Sequence, residues 1–257
     1  MNKLIVLSRK FFPNLDYYEK AISYPYLAPS KPFSFLNGQC LEGIHVSLKN
    51  RKPILSVGSN RSPFQLNNKF SLNENLCVTP ATLYNSDVVF SASISAYGSV
   101  PATQWPVDGA KVKLNVLWLN EKQLKTMHLS EGIGIAYNFV ELKKESVSID
   151  DINYDGPIYG YISINGVYDF DNNTPARLSD LKCLNGISES KTEFQAINYI
   201  KNQFQPYEMS IRDWIRKIIS DKSYRIRLIS KMSKTSLIPK KPPWKIIKIR
   251  IKGNNIY

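Results

Sequence analysis

Hydrophobic and polar positions along this chain recur with two periods, and each period marks its own segments. Ile54-Leu55-Ser56-Val57 is short, apolar and β-rich, which predicts a strand. Over residues 111–119, Val112, Leu114, Val116 and Trp118 share one face of a second strand, and residues 87–96 alternate well enough for a third. Residues 137–142 form the next. Residues 158–164 and 167–170 flank Asn165-Gly166, a type I′ hairpin signal.

Helical spacing appears behind N-terminal capping patterns. Ser62 is a good N-cap, Pro63 suits the first helical position, and Gln65 completes a capping box. Asn120 and Gln123 repeat that pattern ahead of Leu124 and Met127, and Gly132 is placed to end the helix. Ser190 and Glu193 open a helix with Phe194, Ile197, Ile200 and Phe204 at helical intervals. Ser210 and Asp213 open another, with Ile211, Trp214, Ile215, Ile218 and Ile219 on one side. Residues 244–252 mix β-branched and basic side chains and read as an edge strand or a tail. Strands predominate without alternating regularly with helices, so the fold class is α+β, with a closed or strongly curved mixed sheet. No internal repeat is visible.

Composition divides the chain further. Residues 1–50 are dense in proline and aromatics, notably Tyr24-Pro25-Tyr26 and Pro32-Phe33-Ser34-Phe35, which predicts an extended arm packed on a body spanning 51–206. The net charge of +13 is concentrated at the end. Residues 210–257 hold 14 of the 34 Lys/Arg but only 2 of the 21 Asp/Glu, leaving 20 basic and 19 acidic residues for the rest. The body is near neutral, and residues 207–257 form a basic helical extension. That extension is either an amphipathic cover over the core or an element that meets an anionic partner, such as nucleic acid or an acidic membrane. No apolar run approaches the roughly 20 residues of a membrane span, and the apolar part of the N-terminus is short for a signal peptide. Three widely spaced cysteines show no disulfide framework or metal pattern, so reduced thiols and a cytoplasmic location are expected.

The residue inventory narrows the chemistry. Only two histidines exist, His45 and His128, which excludes the three-histidine and H-E-x-x-H zinc sites, and no nucleophile elbow, P-loop or dinucleotide fingerprint is present. No metal is expected. What remains is acid–base work by a carboxylate. The small-residue loop Val57-Gly58-Ser59-Asn60-Arg61-Ser62 leads from a strand into a helix start whose N–H groups suit an anionic ligand, although an ordinary strand–turn–helix has the same sequence. Glu131 sits between a short helix and a glycine, where partial burial would tune it for proton transfer; a surface glutamate at a helix end is the alternative.

The order of these segments resembles the gamma-glutamylcyclotransferase family. Val57-Gly58-Ser59-Asn60 is similar to that family's Tyr-Gly-Ser-Asn loop after the first strand. Glu131-Gly132 is similar to the stretch carrying its catalytic glutamate. Tyr97-Gly98-Ser99-Val100-Pro101-Ala102-Thr103 stands where the family has a glycine-rich, proline-bearing loop. Two positions depart from the pattern: Val57 replaces the tyrosine, and His128 stands for the aspartate before the glutamate. The resemblance covers roughly residues 52–144. It implies a small mixed β-barrel flanked by helices, and cofactor-independent cyclisation of a γ-glutamyl amide to 5-oxoproline. It also implies Glu131 as the catalytic residue and Gly58, Ser59, Asn60, Tyr97, Gly98 and Tyr137 as substrate contacts. A catalytically silent binder of a small anion or a partner, on the same fold, is the alternative that Val57 favours.

Overall fold

A computed structural model describes residues 4–205 and 209–249 of the chain. In chain order the N-terminal elements are helix α1 (Tyr17–Ile22), begun by an Asp16/Glu19 capping box, and strands β1 (Phe33–Leu36), β2 (Gln39–Glu42) and β3 (Lys52–Ser56). Helix α2 (Pro63–Phe70) leads into two long strands, β4 (Leu76–Phe90) and β5 (Ala102–Leu119). Helix α3 (Glu121–Glu131), then β6 (Tyr137–Leu142), β7 (Val147–Ile149) and β8 (Tyr159–Ser163) follow. Short strands β9 (Arg177–Leu178), β10 (Cys183–Leu184) and β11 (Ser190–Lys191) precede helices α4 (Glu193–Phe204), α5 (Ile211–Ser220) and α6 (Lys222–Ser233), and β12 (Trp244–Ile246) is the last described element.

The architecture is α+β with one mixed sheet. Strand order is β11-β9-β4-β5-β3-β8-β6-β12, with β3/β8 and β11/β9 parallel and the other pairs antiparallel; β1 and β7 also join β4, and β10 joins β5. Among the described residues the path keeps two ends, so the sheet is open rather than a closed barrel. Both faces are buried. On one, α2 and α3 cover Leu117, Leu119 and Phe139 with Leu66, Phe70 and Met127. On the other, Val112, Leu114, Val116 and Trp118 share a core with Trp214, Ile215 and Ile218 of α5 and Met232 of α6. The apolar side of α5 is therefore a core component. The aromatics of the N-terminal segment are as well: Tyr24, Tyr26, Phe33 and Phe35 are buried, and β1 pairs with β4.

Several sequence expectations need correction. The strand expected at 87–96 holds only as far as Phe90, the end of β4, and the one at 111–119 is the second half of β5; both belong to one long ladder, which shifts register between Tyr84↔Lys111 and Ser86↔Pro106. At that shift Gly109 adopts φ +76° and its N–H bonds Asn85 Oδ1 at 3.0 Å, so residues that look like strand breakers form a bulge within the ladder. Asn165-Gly166 does not close a hairpin. β8 pairs with β6 and β3, while Val167 exchanges backbone bonds with Leu237 and Tyr168 N–H bonds Phe90 O. Thr192 and Gln195, not Ser190 and Glu193, form the capping box of α4, and Phe194 is exposed. The expected boundary at Pro206 and residues 250–252 of the final basic run lie outside the described residues. No described helix is long and apolar enough to cross a membrane.

Candidate active site

β3 ends at Ser56, and Val57 carries the chain into a turn at 58–61 that opens α2 at Pro63. The expected Ser62 cap is not made: its hydroxyl is buried without a partner, and Gln65 faces a cavity instead of reaching back to the cap. That cavity, of about 280 Å³, lies between the turn, α2, the last turn of α3, the start of β6 and the loop after β4. Helix α3 is closed by Gly132 at φ +60°, in the left-handed region where a glycine carries no Cβ strain. The cap sets Glu131 in the final turn, with its side chain in the cavity.

The structure brings together Gly58, Ser59, Asn60, Tyr97, Glu131 and Tyr137, all of which line this one cavity. Glu131 Oε1 accepts a hydrogen bond from Asn60 Nδ2 at 2.9 Å and pairs with Lys69 Nζ. Only 11% of each side chain in the Lys69–Glu131 pair is exposed, so the pair joins the turn's helix to α3 in a nearly dry setting. Gly98 is not among the lining residues. It sits at φ +90° under α5, where an added Cβ would lie 2.9 Å from Ile215 Cγ2. Its role is to let the 95–99 loop close on itself, through Ser99 N–H to Ser95 Oγ at 3.1 Å, and present Tyr97.

Among the lining residues that sequence reasoning missed are Lys69, Tyr24 and Tyr161. Lys69 had a signal, since it stands one helical turn from Gln65 on α2. Tyr24 and Tyr161 had none, because they arrive from the N-terminal segment and from β8. Burial pushes Tyr24 and Tyr137 far above the ordinary phenol range, and raises Tyr97 and Tyr161 too, with the Glu131 charge adding to the rise at Tyr137, Tyr161 and Tyr97. All four stay protonated at neutral pH and serve as hydrogen-bonding groups, not bases. Among the described lining residues Glu131 is the one carboxylate and Lys69 the one cation.

Gly58 is required by closeness, not by backbone sign. Its φ is −126°, but a Cβ there would stand 1.9 Å from the Tyr24 hydroxyl, which accepts Ala102 N–H at 2.8 Å. Gly58→Ala must displace Tyr24 and leave that buried N–H unpaired, a loss of roughly 2–4 kcal/mol. Urea unfolding should show this loss, and a smaller one when Gly58→Ala is made in a Tyr24→Phe background. Equal losses in both backgrounds would place the clash elsewhere.

His128, one turn before Glu131, supports the wall. Its Nδ1 lies 2.8 Å from the Tyr161 hydroxyl and its ring packs edge-on against Phe139. Burial, helped by Lys52, pushes it down to about 4 from the usual 6.5. The neutral ring is thus the folded form, and the unfolded chain binds the extra proton between pH 6.5 and 4. Stability should therefore fall as pH drops through that window, by about 3 kcal/mol at its lower end. Chemical denaturation of wild type and His128→Gln at pH 7 and pH 4 should show the wild type losing more. An identical pH dependence in both would contradict this assignment.

No family model and no curated protein matches the sequence. Among solved structures, the chain is similar to a gamma-glutamyl cyclotransferase at 15% identity and a TM-score of 0.39, over 65% of this chain and 99% of that one. It is similar to an uncharacterized Homo sapiens protein at 15% and 0.37, over 67% and 100%. A protein from Arabidopsis thaliana, solved in solution, matches at 17% and 0.36, over 48% and 74%. Likeness this distant assigns no function.

Proposed function

We propose that this cavity cyclises a γ-glutamyl amide to 5-oxoproline and releases an amine or amino acid, without a cofactor. The observation that carries this reading is the Glu131 carboxylate, nearly buried beside Lys69 and hydrogen-bonded to Asn60 of the 58–60 turn. A cavity of about 280 Å³ is near the small end of ligand sites and suits an amino-acid-sized group. The glutamyl moiety is a zwitterion, and it exchanges charges with the resident ion pair. Its α-carboxylate goes to Lys69 and to the backbone donors at Gly58, Ser59 and Asn60, and its α-amino group goes to Glu131. N–H groups that open the 59–61 turn have no acceptor within it, which leaves them for the ligand.

The α-ammonium first loses one proton to solvent, and the neutral α-nitrogen then attacks the γ-carbonyl carbon. As that C–N bond forms, Glu131 takes the proton that the nitrogen sheds, and it returns this proton to the amide nitrogen as the old C–N bond breaks. Atoms balance with no water consumed. Tyr97 and Tyr137, held protonated by burial, supply donors for the carbonyl oxygen as negative charge develops on it. Attack within one molecule gains most of its rate from holding a single rotamer of the glutamyl chain. A panel of γ-glutamyl amides tests the reading: 5-oxoproline should accumulate with at least one, and turnover of none would leave a silent anion binder as the better account.

A second reading concerns the extension at 210–257. Arg212 is spent on Asp16 and Arg216 on Asp213 and Tyr17, but Lys222, Arg227, Lys231 and Lys234 are exposed with no ion-pair partner among the described residues. These cations support an anionic partner, nucleic acid or an acidic membrane, whose binding would weaken steeply with salt.

A further inference from the structure

Behind the turn lies a second cavity, of about 680 Å³, separated from the first by two short segments that serve both. Tyr24 lines the first cavity and Pro25 and Tyr26 the second; Asn60 lines the first and Arg61 the second. Arg61 is partly buried. Its Nε and Nη1 are shut off from solvent with no hydrogen-bond partner, and it makes no ion pair among the described residues. A guanidinium withdrawn from water without a bonded partner is costly, and an anion entering the cavity would complete it.

Three cations, Arg61, Lys113 and Lys182, line the cavity against two carboxylates, Asp150 and Asp180, and this net positive lining favours an anion. Lys113 is neutralised by Asp150 at 3.2 Å and donates to Thr82 Oγ1 at 2.8 Å. Lys182 is exposed on the lining, with no ion-pair partner among the described residues. Asp180 also lines the cavity and its charge is felt by Arg61, but it makes no ion pair with it. Arg61 and Lys182, neither in an ion pair among the described residues, are available to one anion, and donors on two separate segments suit the several oxygens of a phosphate better than the two of a carboxylate. The volume exceeds what a bare ion needs, and Leu27, Pro29 and Leu181 give it apolar walls.

We propose that this cavity is a phosphate site, separate from the Glu131 cavity, in which Arg61 and Lys182 hold the phosphate of a small phosphate ester or the free ion. Inorganic phosphate and phenyl phosphate, titrated at constant ionic strength against acetate, distinguish the two sources. Tighter binding of phenyl phosphate identifies an ester, and equal binding identifies the ion. Both should raise the melting temperature of the full chain while acetate does not.

Arg61→Met should weaken phosphate binding by at least about 10-fold, and without phosphate it should melt no lower than wild type, since it removes an unpaired charge. Lys182→Ala, a change on the surface, should weaken binding about 3- to 10-fold. The proposal is overturned if phosphate gives no more stabilisation than acetate. It is also overturned if Lys69→Met abolishes binding that Arg61→Met and Lys182→Ala leave intact, which would put the ion in the first cavity. Marked loss of stability in phosphate-free Arg61→Met would show that the guanidinium already has a protein partner, and would overturn it too.

Discussion

Glu131→Gln should lower release of 5-oxoproline by about 10²-fold or more, because the substitution removes the group that takes and returns the proton while keeping its shape. The glutamine oxygen can still accept the Asn60 amide at the distance seen for Glu131 Oε1, 2.9 Å, so the turn should stay in place. What the variant loses besides the base is the charge opposite Lys69, which is nearly buried. Some fall in stability is therefore expected, and activity should be compared well below the melting point of both proteins. Lys69→Met separates the two roles. It should raise KM more than it lowers kcat, since its partner in the complex is the substrate's α-carboxylate. Equal loss of kcat in both variants would mean that the ion pair acts as one structural unit. Activity that survives in Glu131→Gln would assign the base elsewhere.

Removing the chain beyond Gln205 should destabilise the protein severely. Trp214, Ile215 and Ile218 have no exposed surface and share a core with β5, and Ile215 also covers Gly98 at the base of the loop that presents Tyr97. Each such side chain buries about 1.5–3 kcal/mol of apolar transfer energy, so their loss together approaches the whole stability of an ordinary domain. Aggregation, or a melting temperature lower by roughly 10–20 °C, is the expected result. A soluble truncated protein with the full-length melting temperature would show that α5 and α6 are an independent element. Trp214→Ala alone should lose about 3–5 kcal/mol through the cavity it leaves.

Where sequence and structure agree, the determinant is local. Asn120 and Gln123 form the capping box of α3, Gly132 ends that helix, and the strand expected at 137–142 is β6, residue for residue. Ser210 caps α5 through Asp213 N–H, as its spacing indicates. The failures come from tertiary competition. Pro80, Asn85, Pro106 and Gly109 punctuate β4 and β5 like loop residues, yet a long ladder absorbs them through one register shift. Asn165-Gly166 keeps its turn, with Gly166 at φ +74°, but Val167 is bonded to Leu237, more remote in sequence than any hairpin partner.

The candidate site shows the same division. Glu131 and the 58–60 turn stand out in sequence through a cap and a run of small residues. Lys69 is hidden on a helix whose polar face looks solvated, and Tyr24 is hidden among prolines. His128 stands where the resemblance expects an aspartate, but its ring is buried and bonded to Tyr161, which gives it a supporting role.

Product analysis in ¹⁸O-labelled water tests the proposed reaction most directly. With an accepted γ-glutamyl amide, wild-type protein should yield equal amounts of 5-oxoproline and free amine, with no label in the 5-oxoproline, because the α-nitrogen and not water attacks the γ-carbon. Labelled glutamate as the product, or intact substrate across the whole panel, would contradict it.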